Sequence, residues 1–298
     1  MNKLRAMQLF VRIAELGSFS RAADELALSK SVLSKEMTRL ETALGIRLLQ
    51  RSTRRLELTE RGQDYLQRCR AILAQVESVE AELMALDGAP RGKLRVNASM
   101  SLGLTELSQA LSAFMAQYPE IELDVELSDE WVDLITQGFD LGFRAASRPF
   151  DSSYVGRAVA TFRFHVCAAP EYVARHPPIR TPADLSRHNC YVYRHFRGGT
   201  VWPIGDGVQI GGRLRANNTL FIRQAVLDGH GIAMMPSFVC GDGLASGALV
   251  ELLADHPRPP LILYATYPAR RHVPPKVSAC VAFIEQWFAA DGAANERP

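Results

Sequence analysis

From Glu60 to Leu86 the chain runs without a proline, and only Gly62, near the start, weakens a helix. Cys69, Ile72, Val76, Val79, Leu83 and Leu86 recur at alternating intervals of three and four. That spacing places them on one side of an α-helix, as the apolar seam of a coiled coil. A helix of this length cannot bury the stripe within itself. It needs either the surface of its own domain or a partner helix from a second subunit, and the two-chain solution is the expected one. The turn-rich "DGAPRG", Asp87 to Gly92, ends the segment. The helix therefore divides the 298 residues into a small head and a larger remainder.

Charge follows the same division. Residues 1–62 carry 12 Lys/Arg against 7 Asp/Glu, residues 63–92 carry 3 against 5, and residues 93–298 carry 19 against 20. A basic head on a near-neutral remainder is the footprint expected of a nucleic-acid-binding module, although scattered surface charge would also produce it. Hydrophobic residues make up 47% and charged residues 22%, which describes a globular chain. No apolar run approaches the ~18 residues of a membrane span. Lys3, Arg5 and Arg12 interrupt the N-terminal apolar stretches, so no signal peptide is expected and the cytoplasm is the expected location. The five cysteines are scattered without a CxxC pair, which points to free, buried thiols and to no metal site. HExxH and GxSxG are both missing from the sequence, so neither catalytic residues nor a cofactor are expected.

Within the head, Asn2 can cap a helix whose Met7, Phe10, Val11 and Ala14 form one apolar face. Gly17 ends it. Ser18 or Ser20 caps a short second helix that buries Ala22, Ala23 and Leu26. Leu28-Ser29 turns into a third helix, Lys30 to about Leu44, with Val32 or Leu33, Met37, Leu40 and Leu44 inward and Ser31, Ser34, Lys35 and Thr38 outward. This order is that of a helix-turn-helix, whose third helix fits the DNA major groove and offers its outer residues to base edges. An ordinary three-helix bundle with a solvated face is the alternative. After Gly45, Leu48 and Leu49 are candidates for burial, and Leu56 and Leu58 alternate as a strand. The tip between them holds Arg51, Ser52, Thr53, Arg54 and Arg55. A two-stranded wing with a cationic tip can reach phosphates or the minor groove.

The run "GSFSRAADELALSKSVLSKEMTRLETALGIRLLQRSTRRLELTERG", Gly17 to Gly62, resembles the N-terminal domain of the LysR-type transcriptional regulators. The likeness lies in the paired alanines, the serines before and within the third helix, the "LE..LG..L..R" run and the closing "LT..G". It implies a regulator of transcription that binds double-stranded DNA, with base or backbone contacts from Lys30, Ser31, Ser34 and Lys35 and a minor-groove contact from Arg54; Ser20, Arg21, Arg39 and Arg55 are further candidates for DNA contact. The family's recognition helix usually opens with Gln-Pro or Gln-Ser. Lys30-Ser31 stands there in this chain, so a phosphate or a guanine becomes the candidate partner of Lys30. The resemblance also implies a homodimer through the linker helix, or a tetramer, and RNA polymerase as a partner if the protein activates.

From Lys93 onward the pattern is β-α-β-α-β: "KLRVNAS", a helix with Leu104, Leu107, Leu111 and Phe114, then Ile121 to Leu127, a helix around Trp131, Leu134 and Ile135, and "DLGFR". This order implies a largely parallel sheet with helices on both faces. A second unit follows, with strands "FHVCAA", "VQIGGRLRA" and "GIAMMP", helices "EYVARH" and "TLFIRQAVLDG", a strand "LILYATY" and a last helix, Val277 to Phe288. The expected architecture is α/β overall. It comprises a mainly α winged helix-turn-helix (1–59), a linker helix (60–88) and a two-lobed domain (92–298) that resembles the periplasmic binding proteins. Lobe one would be about 93–162 plus 267–291, and lobe two about 163–266.

Ligands of such domains sit at the carboxyl ends of strands, between the lobes. Ser99, Met100, Ser101, Ser128, Phe143, Arg144, Trp202, Asn217 and Asn218 are the candidate effector contacts. The resemblance supports Met100, Ser101, Ser128 and Arg144 most directly. Structural alternatives stand beside them: Ser101 as a helix cap, Met100 as core, Arg144 paired with Asp140 or Asp129, Asn217 as a turn residue, and Trp202 packed under a loop. Hydroxyls at a helix start and an arginine at a strand end favour a small organic acid. An enzyme or binding protein carrying a helix-turn-helix, and an architectural DNA-binding protein without an effector, are the rival functions.

Overall fold

The computed structural model describes residues 2–51, 56–84, 89–146, 154–269 and 273–295. Contacts divide the chain into two compact units, Met1–Ala89 with Val132–Asp140, and Pro90–Trp131 with Leu141–Pro298.

The first unit opens with α1 (Lys3–Leu16), α2 (Phe19–Glu25) and α3 (Lys30–Leu44). Each begins at a side-chain cap: Asn2 Oδ1 accepts from Arg5 N at 3.2 Å, Ser18 Oγ from Arg21 N at 3.4 Å, and Ser29 Oγ from Val32 N at 3.2 Å. Gly17 and Gly45 close α1 and α3 in the left-handed region, at φ 59° and 70°. The buried face of α1 is Ala6, Leu9, Phe10 and Ile13. The expected set, Met7, Phe10, Val11 and Ala14, is thus displaced by one residue. Both sets follow a helical period, and packing chose the one that meets Ala22, Ala23, Leu33, Met37 and Leu40. Val32 and Leu44, the other inward candidates of α3, are exposed.

Strands β1 (Leu49–Arg51) and β2 (Leu56–Leu58) pair antiparallel, Leu49 opposite Leu58. Residues 52–55, the tip with Arg54 and Arg55, lie outside the described residues. Helix α4 runs Glu60–Met84. Of its expected seam, Cys69 is fully buried in the core of the head, Ile72 is 40% exposed and Val76 is half-buried. The side chains of Val79 and Leu83, and Leu86 altogether, lie outside the description. Cys69 therefore leaves the seam and serves the head.

The second unit contains two five-stranded sheets. The first is built from β3 (Gly92–Ala98), β4 (Ile121–Leu127), β5 (Leu141–Ala146), β6 (Tyr154–Phe162) and a late strand, Leu261–Pro268. Between β3 and β4 lies one helical segment: α5 (Met100–Leu102), a π turn (Gly103–Leu107) and α6 (Ser108–Gln117). A Cβ on Gly103 would stand 2.3 Å from Leu127 Cδ2, so glycine lets this turn lie against the end of β4. A single turn, α7 (Leu134–Gln137), precedes β5 and groups with the first unit. The other sheet holds β7 (Phe164–Ala168), β8 (Cys190–Tyr193), β11 (Arg215–Ala216), β12 (Ile232–Pro236) and β13 (Val250–Leu252), with β9 (Val201–Trp202) and β10 (Val208–Gln209) as a separate pair. Its helices are α8 (Pro170–Arg175), α9 (Thr219–Leu227) and α10 (Ser237–Ala245). The late strand is β14, and α11 (Pro275–Asn295) follows it.

The first sheet has the order β4-β3-β5-β14-β6, parallel across β3, β4 and β5 and antiparallel at β14 and β6. Two expectations change here. The sheet is mixed, and β14, placed in lobe two up to residue 266, pairs wholly with the first sheet. Alternation identifies a strand but not the sheet that it joins. The single strand expected from "VQIGGRLRA" is two, β10 and β11, in different sheets. A Cβ on Gly212, between them, would sit 2.2 Å from Cys190 O. No described helix is long and apolar enough to cross a membrane.

Candidate functional site

The DNA-facing candidates lie at the start of α3. Lys30, Ser31 and Lys35 are exposed, as are Ser20 and Arg21 at α2, while Ser34 is half-buried. Ser31 Oγ is 2.9 Å from the capping Ser29 Oγ, so the cap and the first outward hydroxyl share a hydrogen bond. Arg39 is exposed and donates to Glu36 Oε1 at 2.8 Å, one turn below. Thr38 continues the same outer face, and its hydroxyl donates to Ser34 O at 2.9 Å. Its spacing from Ser31 and Lys35 was the signal that marks it as a further member.

The wing is tied to this helix by one carboxylate. Glu41 Oε1 accepts from both Leu48 N (2.8 Å) and Leu49 N (3.0 Å). Thr59 completes the attachment. Its hydroxyl donates to Arg47 O at 2.8 Å and accepts from Gly62 N at 2.9 Å, capping α4. A Cβ on Gly62 would lie 2.0 Å from Leu48 O. The "LE" and "LT..G" signatures thus record how strand β1 is held between α3 and α4.

The second site gathers where β3, β4 and β5 end and α9 begins. Ser99 occupies the cap position of α5 without making a side-chain cap bond. Ser101 is buried, and its hydroxyl meets Thr219 Oγ1 at 2.7 Å, so it links the lobes and is not the helix cap. Met100 is 39% exposed, which removes the core reading. Ser128 continues β4 and accepts from Glu130 N at 3.2 Å. Asn217 is an exposed bend residue, whereas Asn218 caps α9, its Oδ1 accepting from Leu220 N (2.9 Å) and Phe221 N (3.1 Å).

Arg144 is held by neutral oxygens: Asn97 Oδ1, Phe143 O at 3.1 Å and Glu130 O at 3.2 Å. Burial lowers its pKa, opposed by the charges of Asp129 and Tyr193. Tyr193, at the end of β8, was not among the sequence candidates. Burial raises its pKa, Asp129 adds to the rise and Arg144 opposes it. Only the pairing of β8 beside β11 and β12 places this tyrosine, and no local motif signals it.

Two further candidates have buried side chains. Phe143 is 0% exposed and Trp202 is 2% exposed, and both belong to the hydrophobic core. Along β5, alternation sends Phe143 inward and leaves Arg144, its neighbour, half-buried. Among the described residues no group of His, Cys, Asp and Glu is arranged to hold a metal.

A helix-turn-helix head with a two-sheet domain whose strand ends carry polar side chains defines a DNA-binding regulator with an effector-binding domain. The family of bacterial regulatory helix-turn-helix proteins of the lysR type matches residues 4–63, and the LysR substrate binding domain matches residues 87–289. The chain belongs to the LysR family of transcriptional regulators. It is 36% identical over 290 residues to the regulator PtxR of Pseudomonas aeruginosa, covering 95% of this chain and 92% of PtxR. It is 32% identical over 294 residues to DmlR of Escherichia coli, covering 96% and 94%. Among solved structures, CrgA of Neisseria meningitidis, a LysR-type transcriptional regulator, superposes with a TM-score of 0.61 at 31% identity, covering 95% of this chain and 98% of CrgA. These relatives are regulators of transcription, not enzymes.

Proposed function

We propose that the protein acts in the cytoplasm as a homodimer or a dimer of dimers, joined through the linker helix (60–88). Its heads (1–59) read a two-fold related operator, and its effector domain (92–298) takes up a small organic acid. Lys30, Ser31, Ser34 and Lys35 contact bases or backbone in the major groove. Arg54 and Arg55 serve the wing, and Ser20, Arg21 and Arg39 hold phosphates. RNA polymerase is the further partner when the protein activates.

One observation carries the ligand assignment: Arg144 holds a guanidinium among neutral acceptors, beside the ends of β3 and β4. A planar cation so placed favours a carboxylate partner. Ser99, Met100, Ser128 and Asn218 are assigned as further effector contacts. The test is calorimetry with a panel of organic acids and their amides, on native protein and Arg144→Ala. Acids should bind and amides should not, and the substitution should weaken the acids at least about tenfold, the scale of one lost charge-assisted hydrogen bond. Equal binding of acids and amides would refute the assignment.

A further inference from the structure

Asp129 follows Ser128 where the chain leaves β4, and it is half-buried. Its two carboxylate oxygens face different lobes. Oδ1 accepts from Met100 N at 2.9 Å, at the start of the helical segment that follows β3. Oδ2 accepts from Asn218 Nδ2 at 3.3 Å, on the segment that starts α9. The donor on Asn218 is pre-oriented, because its Oδ1 is committed to Leu220 N and Phe221 N, which leaves Nδ2 directed at Asp129. Ser101 and Thr219, one residue further along each segment, form the second polar link between the same two elements.

A plain helix cap would come from Ser99, which holds the cap position and makes no side-chain cap bond. The first turn instead receives a charged group from a neighbouring strand, and that group also spans to the other lobe. We propose that Asp129 is an internal occupant of a carboxylate subsite formed by Met100 N and Asn218 Nδ2, latching the lobes together when no acid is bound. The subsite deepens the organic-acid assignment above and rests on it. A free acid must displace a tethered carboxylate, whose effective concentration is fixed by the fold. The response to acid is therefore a threshold set by Asp129, and release of the latch is the step that changes how the lobes are held.

Hydrogen exchange on the full-length protein tests this. In Asp129→Ala the amides of 99–106 and 218–223 should exchange about tenfold faster than in native protein, as expected when a local tie is lost. Sodium formate should slow both segments again, while formamide and sodium chloride at equal concentration should not. Asp129→Asn keeps the size and one acceptor but loses the charge. It should loosen the 218–223 segment even if the alanine variant folds poorly. Unchanged exchange in both variants overturns the latch, and formate acting no better than formamide overturns the carboxylate subsite. Rescue by formate with no organic acid bound by native protein would support the latch and overturn the effector assignment. Acid binding by native protein without formate rescue would do the reverse.

Discussion

At the scale of single residues, the head rests on a few polar groups whose partners are backbone atoms. Glu41 satisfies the amides of Leu48 and Leu49, where β1 begins, at once. Glu41→Ala should cost about 1–3 kcal/mol in denaturant unfolding, because two amides lose a charged acceptor. It should also weaken operator binding, since β1 carries the wing. Glu41→Gln, which keeps one acceptor oxygen, should lose less. Lys30 contributes differently. Lys30→Ala should leave stability unchanged and alter which sequences are preferred, by roughly 1–3 kcal/mol at one base pair if the contact is to guanine. Selection from a randomised DNA pool measures this, and a uniform loss over all sequences would assign Lys30 to the backbone. The signature residues Glu41 and Gly62 were legible in the sequence as a pattern. Their reason was not, because Leu48, the partner of both, is fixed only when β1 packs between two helices.

At the scale of elements, the caps were readable and the packing faces were less so. Ser29 was placed correctly at the start of α3 because a serine before an apolar period is a local signal. Ser29→Ala should cost about 1 kcal/mol of stability. It should also loosen Ser31, whose hydroxyl shares the cap's hydrogen bond. The linker helix shows the limit of periodicity. Cys69 and Ile72 sit on one stripe, yet the first is buried within the head and the second is exposed. The spacing cannot tell where an intramolecular contact ends and a surface for a partner begins. Val76→Asp should turn the proposed homodimer into monomers, read by light scattering, because it places an unpaired charge in the proposed seam. An unchanged oligomer would relocate the seam.

At the scale of the whole molecule, charge and pH act through separate parts. DNA binding should weaken with salt, and Lys35→Ala should shallow the slope by about one unit if Lys35 holds one phosphate. In the effector domain, His188 should add a pH dependence of stability. His188 is buried, and its Nδ1 lies 3.2 Å from Tyr172 Oη, which also accepts from Asn189 N at 3.1 Å. A donation from this phenol to Nδ1 would favour the neutral imidazole. Burial lowers the His188 pKa, His176 lowers it further, and Asp184 opposes them. A depressed folded-state pKa means that the unfolded chain binds the proton more readily. Its contribution to stability is complete above the ordinary histidine value of about 6.5 and is lost as pH falls below it. Between pH 7.5 and 5.5, native protein should lose more stability than His188→Gln, measured by urea unfolding at each pH.

The sequence alone determined what depends on neighbours along the chain. It carried the three helices of the head and their caps, the long linker, the order of most strands and helices, and the family. It also placed Ser101, Arg144 and Asn218 near one another in principle, because each stands at the end of a strand or the start of a helix. Tertiary structure decided which side chains meet. Asn218 reaches Asp129 across 89 positions, and Ser101 reaches Thr219 across 118. Alternation along β5 requires that Phe143 and Arg144 face opposite ways, but only the assembled sheet sent the phenylalanine into the core. Local periods are set by backbone geometry, which a sequence displays directly. The choice between equivalent faces, and between one sheet and another, is made by the burial of surfaces that lie far apart in the chain.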